Sequence, residues 1–193
     1  LDWRARKVLP QVTGKVVVLL HGLCMNDLQW RVVKPAADGQ PAQVNELGAT
    51  LATELGYTPV YLRYNTGLHV SQNGRELAAQ LEQLAAHWPV PVTALSLVGY
   101  SMGGLVARSA IHYGQAGAMR WAGQLGDLVC LAAPHHGSPL ERAGNLLDVL
   151  LGVNPYSAPY GKLIQLRSAG ITDLRYGHVV DEDWHGHDRF RRK

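Results

Sequence analysis

Four short, largely apolar runs, separated by stretches of helical periodicity, are the feature that most limits how this chain of 193 residues can fold. The runs are Val16–Leu20, Pro59–Tyr64, Ala94–Val98 and Asp127–Ala132. A strand without polar alternation is typical of a parallel sheet that is covered on both faces. The repeated order of strand and helix therefore predicts an α/β fold with right-handed crossovers and helices on both sides of the sheet.

The helices between these runs have recognisable ends. Leucines four residues apart over Leu47–Leu55 predict a helix that ends at Gly56, since glycine readily adopts the left-handed conformation that follows a helix. Asn73 has Glu76 three residues further on, which resembles a capping box and predicts the start of the next helix. Pro89 ends that helix. We expect one domain over residues 1–193.

After Pro134 the alternating pattern stops. Leucines at helical spacing over Leu146–Leu151 predict a short amphipathic helix. No further strand of convincing length follows, because His178–Val180 is too short to count as one. The last strands of a larger sheet are therefore expected to be missing from this chain, and residues 134–170 are a candidate lid region.

Composition excludes several classes of protein. Eighteen basic against 15 acidic side chains give a net charge of +3, which is too small for a nucleic-acid surface. No apolar run approaches the roughly 20 residues that span a bilayer. Cys24 and Cys130 lack metal-ligand spacing, and we expect both to be small buried side chains. The chain begins with Leu1 rather than Met, which suggests that an upstream piece was removed. The sequence therefore does not determine the cellular compartment, although a soluble cytoplasmic protein is favoured.

The segment Gly99-x-Ser101-x-Gly103 joins the third run to a helix in the pattern of a nucleophile elbow. The sharp turn holds the serine in a strained conformation, and glycine at both flanks removes the Cβ atoms that would collide. Ser101 is the candidate nucleophile. The N–H of Met102, directly after it, is a candidate donor to a developing oxyanion.

His21-Gly22-Leu23 follows the first run, so it also lies at the carboxyl edge of the predicted sheet. Gly22 permits a turn that aims the N–H of Leu23 into the site as the second oxyanion donor. Two such donors stabilise a tetrahedral oxyanion by several kcal/mol, since a single donor typically contributes ~3 kcal/mol. We favour a structural role for His21, buttressing this loop, over a catalytic one.

Four motifs together resemble the lipase and esterase group of α/β-hydrolases, and more closely the PGAP1-like hydrolases that deacylate lipid anchors. They are Leu20-His-Gly-Leu23, Arg63-Tyr-Asn-Thr-Gly67, Gly99-Tyr-Ser-Met-Gly-Gly104 and Ala133-Pro-His-His-Gly-Ser138. The resemblance covers most of residues 15–140. It implies an α/β-hydrolase fold in which the segment at Ala133 lines the route to the site. The helix at Leu146–Leu151 is then either a lid over an acyl pocket or a core helix.

The catalytic base and acid are not evident. The resemblance places an acid after the seventh strand and a histidine after the eighth, so we expect both to lie beyond Lys193. Asp173 with His178 is the best internal pair, because both follow Ser101 in the required order; the alternative is that they are solvated loop residues. The other histidines and aspartates after Ser101 are His135, His136, His185, His187, Asp181, Asp183 and Asp188.

No metal or cofactor is expected. The segment Asp183-Trp-His-Gly-His-Asp188 contains residue types that bind zinc or copper, but ligands so close together are more typical of a polar loop. The sequence thus predicts a serine ester hydrolase that acts on a small-molecule or lipid ester through an acyl-enzyme. A catalytically inactive fragment or binding domain of the same fold is the alternative, and acyl transfer to an alcohol would use the same nucleophile.

Overall fold

The computed structural model describes residues 12–34, 43–137 and 168–186. The strands are β1 (Lys15–Leu20), β2 (Arg31–Lys34), β3 (Gln43–Glu46), β4 (Thr58–Leu62), β5 (Ala94–Tyr100) and β6 (Leu125–Leu131). The α-helices of these residues are α1 (Leu47–Leu55), α2 (Val70–His87), α3 (Met102–Ala116), α4 (Ala169–Tyr176) and α5 (Asp181–Trp184), with short 3-10 helices at Asp27–Trp30 and Arg120–Gly123.

In the described residues, the main sheet has four parallel strands in the order β4-β1-β5-β6. Each of the four predicted strands is present, and the parallel sheet flanked by helices is confirmed. The carboxyl ends of all four strands lie at one edge, so the loops that follow β1, β4 and β5 meet there. This edge carries the candidate site.

The two faces of β1 explain why its sequence is apolar throughout. Val18 packs into a core formed with α2 and α3, whereas Val17 and Leu19 pack with Trp30 on the opposite face. All three β1 side chains are at most 2% exposed. Burying a side chain of this size stabilises the fold by about 1.5–3 kcal/mol, so the continuous apolar run is required by burial on both faces.

The end of α1 is as predicted, but the start of α2 is not. Gly56 follows α1 with φ 71°, and its N–H donates to the Ala52 carbonyl at 3.1 Å. The predicted capping box at Asn73 is wrong, because α2 begins three residues earlier, at Val70. The Gln72 side chain accepts a hydrogen bond from the His69 N–H at 3.2 Å and so caps the helix.

The Asn73 side chain has a different use. It lies inside α2, where its amide group donates to the carbonyl of Asn65 at 2.9 Å. This bond fixes the loop that follows β4 to the first turn of the helix. The polar residue therefore anchors a loop rather than capping a helix.

The antiparallel hairpin of β2 and β3 was not predicted. Its strands have four residues each, and Val32, Val33 and Val44 are between 48% and 56% exposed. Neither strand has the length or the buried face that makes a strand recognisable in a sequence.

The expected burial of Cys24 is also wrong, because this residue is exposed. It is the third residue of a tight turn closed by the Met25 N–H on the Gly22 carbonyl at 3.2 Å, with φ 56°. Cys130 is partly buried in β6. The predicted helix at Leu146–Leu151 lies outside the described residues, as does most of the candidate lid region 134–170. None of the described helices combines the length and hydropathy that crossing a bilayer requires.

Candidate active site

A sharp turn between β5 and α3 presents Ser101. Its φ of 51° and ψ of −117° are values that a residue with a side chain rarely adopts. A Cβ on Gly99 would lie 2.5 Å from the carbonyl carbon of Gly103, and a Cβ on Gly103 would lie 2.4 Å from the carbonyl oxygen of Leu20. The turn therefore needs both glycines, and their spacing in the sequence reflects this packing.

The Ser101 side chain has no polar partner among the described residues. Its N–H donates to the carbonyl of Leu131 at 2.8 Å, which ties the turn to β6, while its hydroxyl makes no hydrogen bond within the described parts of the chain. Ser101 is 5% exposed. Within the described residues, its hydroxyl is thus not committed to another polar group.

The loop after β1 lies directly beside this turn. A Cβ on Gly22 would lie 2.9 Å from the ring of Tyr100, the residue before Ser101. Leu23 and Met102 are 4% and 0% exposed, and within the described residues neither backbone N–H donates a hydrogen bond. The turn and the loop thus bring to the same edge of the sheet two buried residues whose N–H groups have no partner in the part of the chain that the structure describes.

His21 has the structural role that the sequence favoured. Its Nδ1 donates to the Gly22 carbonyl at 2.9 Å, and its Nε2 accepts from the Tyr64 N–H at 3.3 Å. The Tyr64 ring stacks on the imidazole at 4.3 Å between centroids, and its hydroxyl donates to the His21 carbonyl at 2.5 Å. Burial lowers the pKa of His21, which fits an imidazole that uses one nitrogen as donor and the other as acceptor. Both nitrogens are occupied, so His21 is not available as a base.

Asp173 in α4 and His178 just after it are brought together. Asp173 is fully buried in α4, so the solvated-loop interpretation is wrong for it. Its carboxylate accepts from the Val70 N–H at 2.7 Å and from His178 Nδ1 at 3.3 Å. The carboxylate therefore binds the first turn of α2, and in the described residues no hydrogen bond connects the pair to the Ser101 hydroxyl.

His69 is the third member of this cluster and was not selected from the sequence. Its Nδ1 lies 3.1 and 3.0 Å from the two carboxylate oxygens of Asp173. Its ring stacks on Trp184 at 3.8 Å, and the Trp184 indole donates to the Ser71 hydroxyl at 3.0 Å. The spacing of His69 and Gln72 is that of a capping box and would have placed His69 at the helix start, but nothing in the sequence links it to Asp173.

Three of the remaining candidates, His135, Asp181 and Asp183, are engaged elsewhere, and two lie outside the described residues. His135 Nδ1 accepts from Arg108 at 3.0 Å, and burial together with the Arg108 charge lowers the pKa of His135. Asp181 pairs with Arg75, and Asp183 accepts from the backbone N–H groups that precede α5. The described residues contain no group of three His, Cys, Asp or Glu side chains that could hold a metal ion. His187 and Asp188 are outside the described residues.

Comparison with known proteins adds to this geometry. Among solved structures, the chain is similar to a lipase-esterase related protein from Clostridium acetobutylicum, with 14% identity and a TM-score of 0.47 over 89% of this chain and 69% of the other. No curated protein matches the chain by sequence. The sequence profile of the PGAP1-like alpha/beta domain matches residues 11–192, which is nearly the whole chain. This match confirms the resemblance carried by the four motifs, and the chain belongs to the PGAP1-like alpha/beta domain family.

Proposed function

We propose that this protein is a serine carboxylic ester hydrolase in which Ser101 forms an acyl-enzyme. The family supports a hydrolase of the lipase and esterase kind. The observation that carries the finer proposal is the strained backbone of Ser101, at φ 51° between a buried strand and a helix. Strain of this kind persists where the surrounding structure enforces it, and it is concentrated at functional sites.

The reaction proceeds in two steps. The Ser101 oxygen attacks the ester carbonyl carbon and loses its proton to a base, and the bond to the alcohol then breaks as the alcohol takes up a proton. Water attacks the resulting acyl group in the same way, which releases the carboxylic acid and restores the Ser101 hydroxyl. In both steps the N–H groups of Leu23 and Met102 stabilise the negative charge that develops on the carbonyl oxygen.

The proton transfer is assigned to a histidine oriented by an acid. Asp173 holds the Nδ1 atoms of His69 and His178, but no hydrogen bond of the described residues joins either imidazole to the Ser101 hydroxyl, so neither is assigned as the base. The substrate is a small-molecule or lipid ester. We propose no metal or cofactor for this reaction, since serine acyl transfer requires neither.

A fluorophosphonate probe tests the nucleophile, since it bonds covalently to an activated serine. The intact protein is expected to be labelled, and Ser101→Ala is expected to lose both labelling and at least about 10⁴-fold of the ester hydrolysis. Ser109→Ala is the matched control, because the Ser109 hydroxyl is buried in α3 without a hydrogen-bond partner among the described residues. If folded Ser101→Ala is labelled as strongly as the wild type, the proposal is wrong.

A second function is supported by one observation: among the described residues, the hydrogen bonds of the histidine rings go to groups other than the Ser101 hydroxyl. An inactive domain that binds a partner would have this arrangement. Folded wild-type protein would then not react with the probe. Acyl transfer to an alcohol would instead leave labelling intact, and it would give a new ester when an acceptor alcohol is added to the assay.

A further inference from the structure

We propose that Gln29 and Thr66 are positioning residues that hold the loop after β1 so that the Leu23 N–H is available to the oxyanion. This inference rests on the proposed function and deepens it, because it assigns roles to two side chains that do not themselves take part in the reaction. Neither residue was singled out by its chemistry in the sequence.

The first contact is made by Gln29. Its side-chain oxygen accepts a hydrogen bond from the Gly22 N–H at 2.9 Å. Gln29 lies in the 3-10 helix Asp27–Trp30, which is capped by Asn26 and anchored by the buried Trp30. The acceptor is therefore carried by a short element with a fixed position, and it holds the backbone immediately before Leu23.

The second contact is made by Thr66 from the loop after β4. Its hydroxyl accepts from the Cys24 N–H at 3.3 Å, immediately after Leu23. Thr66 is half-buried, and its backbone packs against α4, because a Cβ on Gly170 would lie 2.1 Å from the Thr66 carbonyl oxygen. The loop after β4 is thus packed between α4 and the loop that it supports.

Among the described residues, these contacts occupy the backbone N–H groups on either side of Leu23 and leave the Leu23 N–H without a partner. The Gly22 N–H is taken by Gln29, the Cys24 N–H by Thr66, and the Met25 N–H by the Gly22 carbonyl at 3.2 Å. The N–H of Leu23, between the two side-chain contacts, has no partner among the described residues. The positive φ of Cys24, 56°, shows that the turn adopts a conformation that this residue does not favour by itself, so outside contacts have to maintain it.

Kinetic measurements can distinguish the positioning role of Gln29 and Thr66 from a general contribution to stability. An oxyanion donor acts on the transition state more than on the bound ester, so moving it lowers kcat and leaves KM nearly unchanged. Removal of an oxyanion donor lowers kcat by about 10²–10³-fold. Loosening a donor that is still present should have a smaller effect, roughly ten- to hundredfold.

Two substitutions with matched controls test the inference in the intact protein. Gln29→Met removes the acceptor at nearly constant length, and Gln80→Met makes the same change on α2, where the Gln80 amide donates to Glu76 of the same helix. Thr66→Val removes the hydroxyl at constant shape, whereas Thr66→Ser keeps it. We expect both acceptor-removing variants to lower kcat on a p-nitrophenyl ester by roughly tenfold or more at similar KM, and Thr66→Ser and Gln80→Met to retain wild-type kcat.

Two further measurements separate positioning from loss of structure. A trifluoromethyl ketone adds to the serine and forms an oxyanion, so its inhibition constant should rise by the same factor as kcat falls. The final extent of phosphonate labelling should equal that of the wild type, because it counts folded sites rather than measuring their rate. If Gln29→Met does not fold, the Thr66→Val and Thr66→Ser pair is sufficient.

The outcomes distinguish this inference from the function on which it rests. If Ser101→Ala hydrolyses the ester as fast as the wild type, the proposed function and this inference are both wrong. If Ser101→Ala is inactive while Gln29→Met and Thr66→Val keep kcat within about twofold of the wild type, only the positioning role is refuted. Equal losses in Thr66→Val and Thr66→Ser would also refute the role of the Thr66 hydroxyl.

Discussion

Asp173→Ala removes a carboxylate that joins α4 to the start of α2. The carboxylate accepts from the buried Val70 N–H at 2.7 Å and from His69 Nδ1 at 3.0 Å. Alanine leaves both donors without an acceptor, and each unsatisfied buried donor costs about 1–3 kcal/mol. His178 loses a further contact at 3.3 Å. We therefore expect the free energy of unfolding to fall by about 2–6 kcal/mol, the combined cost of the two unsatisfied donors.

Urea unfolding followed by circular dichroism and tryptophan fluorescence measures this change. Trp184 stacks on His69, so its emission should respond to the loss of the cluster. In a chain of this size, each kcal/mol of lost stability lowers the melting temperature by about 2–4 °C. The melting temperature of Asp173→Ala should therefore fall by roughly 10 °C. Asp127→Ala removes an exposed carboxylate on β6 and should change stability by less than about 0.5 kcal/mol.

Asp173→Asn gives an intermediate case. The amide oxygen can still accept from the Val70 N–H, whereas the amide nitrogen cannot accept from His69. We expect its stability to lie between those of the wild type and Asp173→Ala. An unfolding free energy of Asp173→Ala within about 1 kcal/mol of the wild type would refute the reasoning, because the two donors would then have found other partners at no cost.

Two further predictions concern the loop and the turn at the candidate site. Burial lowers the pKa of His21 below the ordinary histidine value of about 6.5, so the unfolded chain binds a proton more readily and stability should fall as the pH drops below about 6.5. Chemical denaturation at pH 7.5 and 5.5 should show a smaller loss of stability in His21→Gln than in the wild type. A variant of the exposed His112 should lose as much as the wild type, and a reduction as large as that in His21→Gln would contradict this assignment. Gly99→Ala places a Cβ 2.5 Å from the Gly103 carbonyl carbon and should sharply lower the melting temperature. Gly123→Ala is the control, because its Cβ would have no atom within 4 Å, and it should leave the melting temperature unchanged. Equal melting temperatures of the two variants would refute the requirement for glycine in the turn.

Several parts of the fold could be predicted because their causes are local in the sequence. The apolar run at Val16–Leu20 predicts a strand covered on both faces, and each of its side chains is in fact buried. Gly56 ends α1 because a left-handed residue is needed there. Glycines at 99 and 103 predict a sharp turn at Ser101, since only a residue without a Cβ fits beside the backbone of that turn.

Other parts failed because the sequence carries no signal for them. The first turn of α2 is held by Asp173, which is 103 residues away from Val70, so the local pattern at Asn73 placed the helix start wrongly. The exposure of Cys24 depends on a tight turn, which composition does not show. The hairpin of β2 and β3 has short, exposed strands and therefore lacks the buried periodicity that makes a strand recognisable.

The amino-acid order by itself determined the parallel sheet, the family resemblance and the choice of Ser101, because apolar periodicity and glycine placement act within a few residues of chain. Only the tertiary structure decided that Asp173 is buried with His69 and His178 at the start of α2, and that Gln29 and Thr66 hold the loop around Leu23. Hydrogen bonds between distant segments depend on how whole elements pack, and packing is a property of the folded chain.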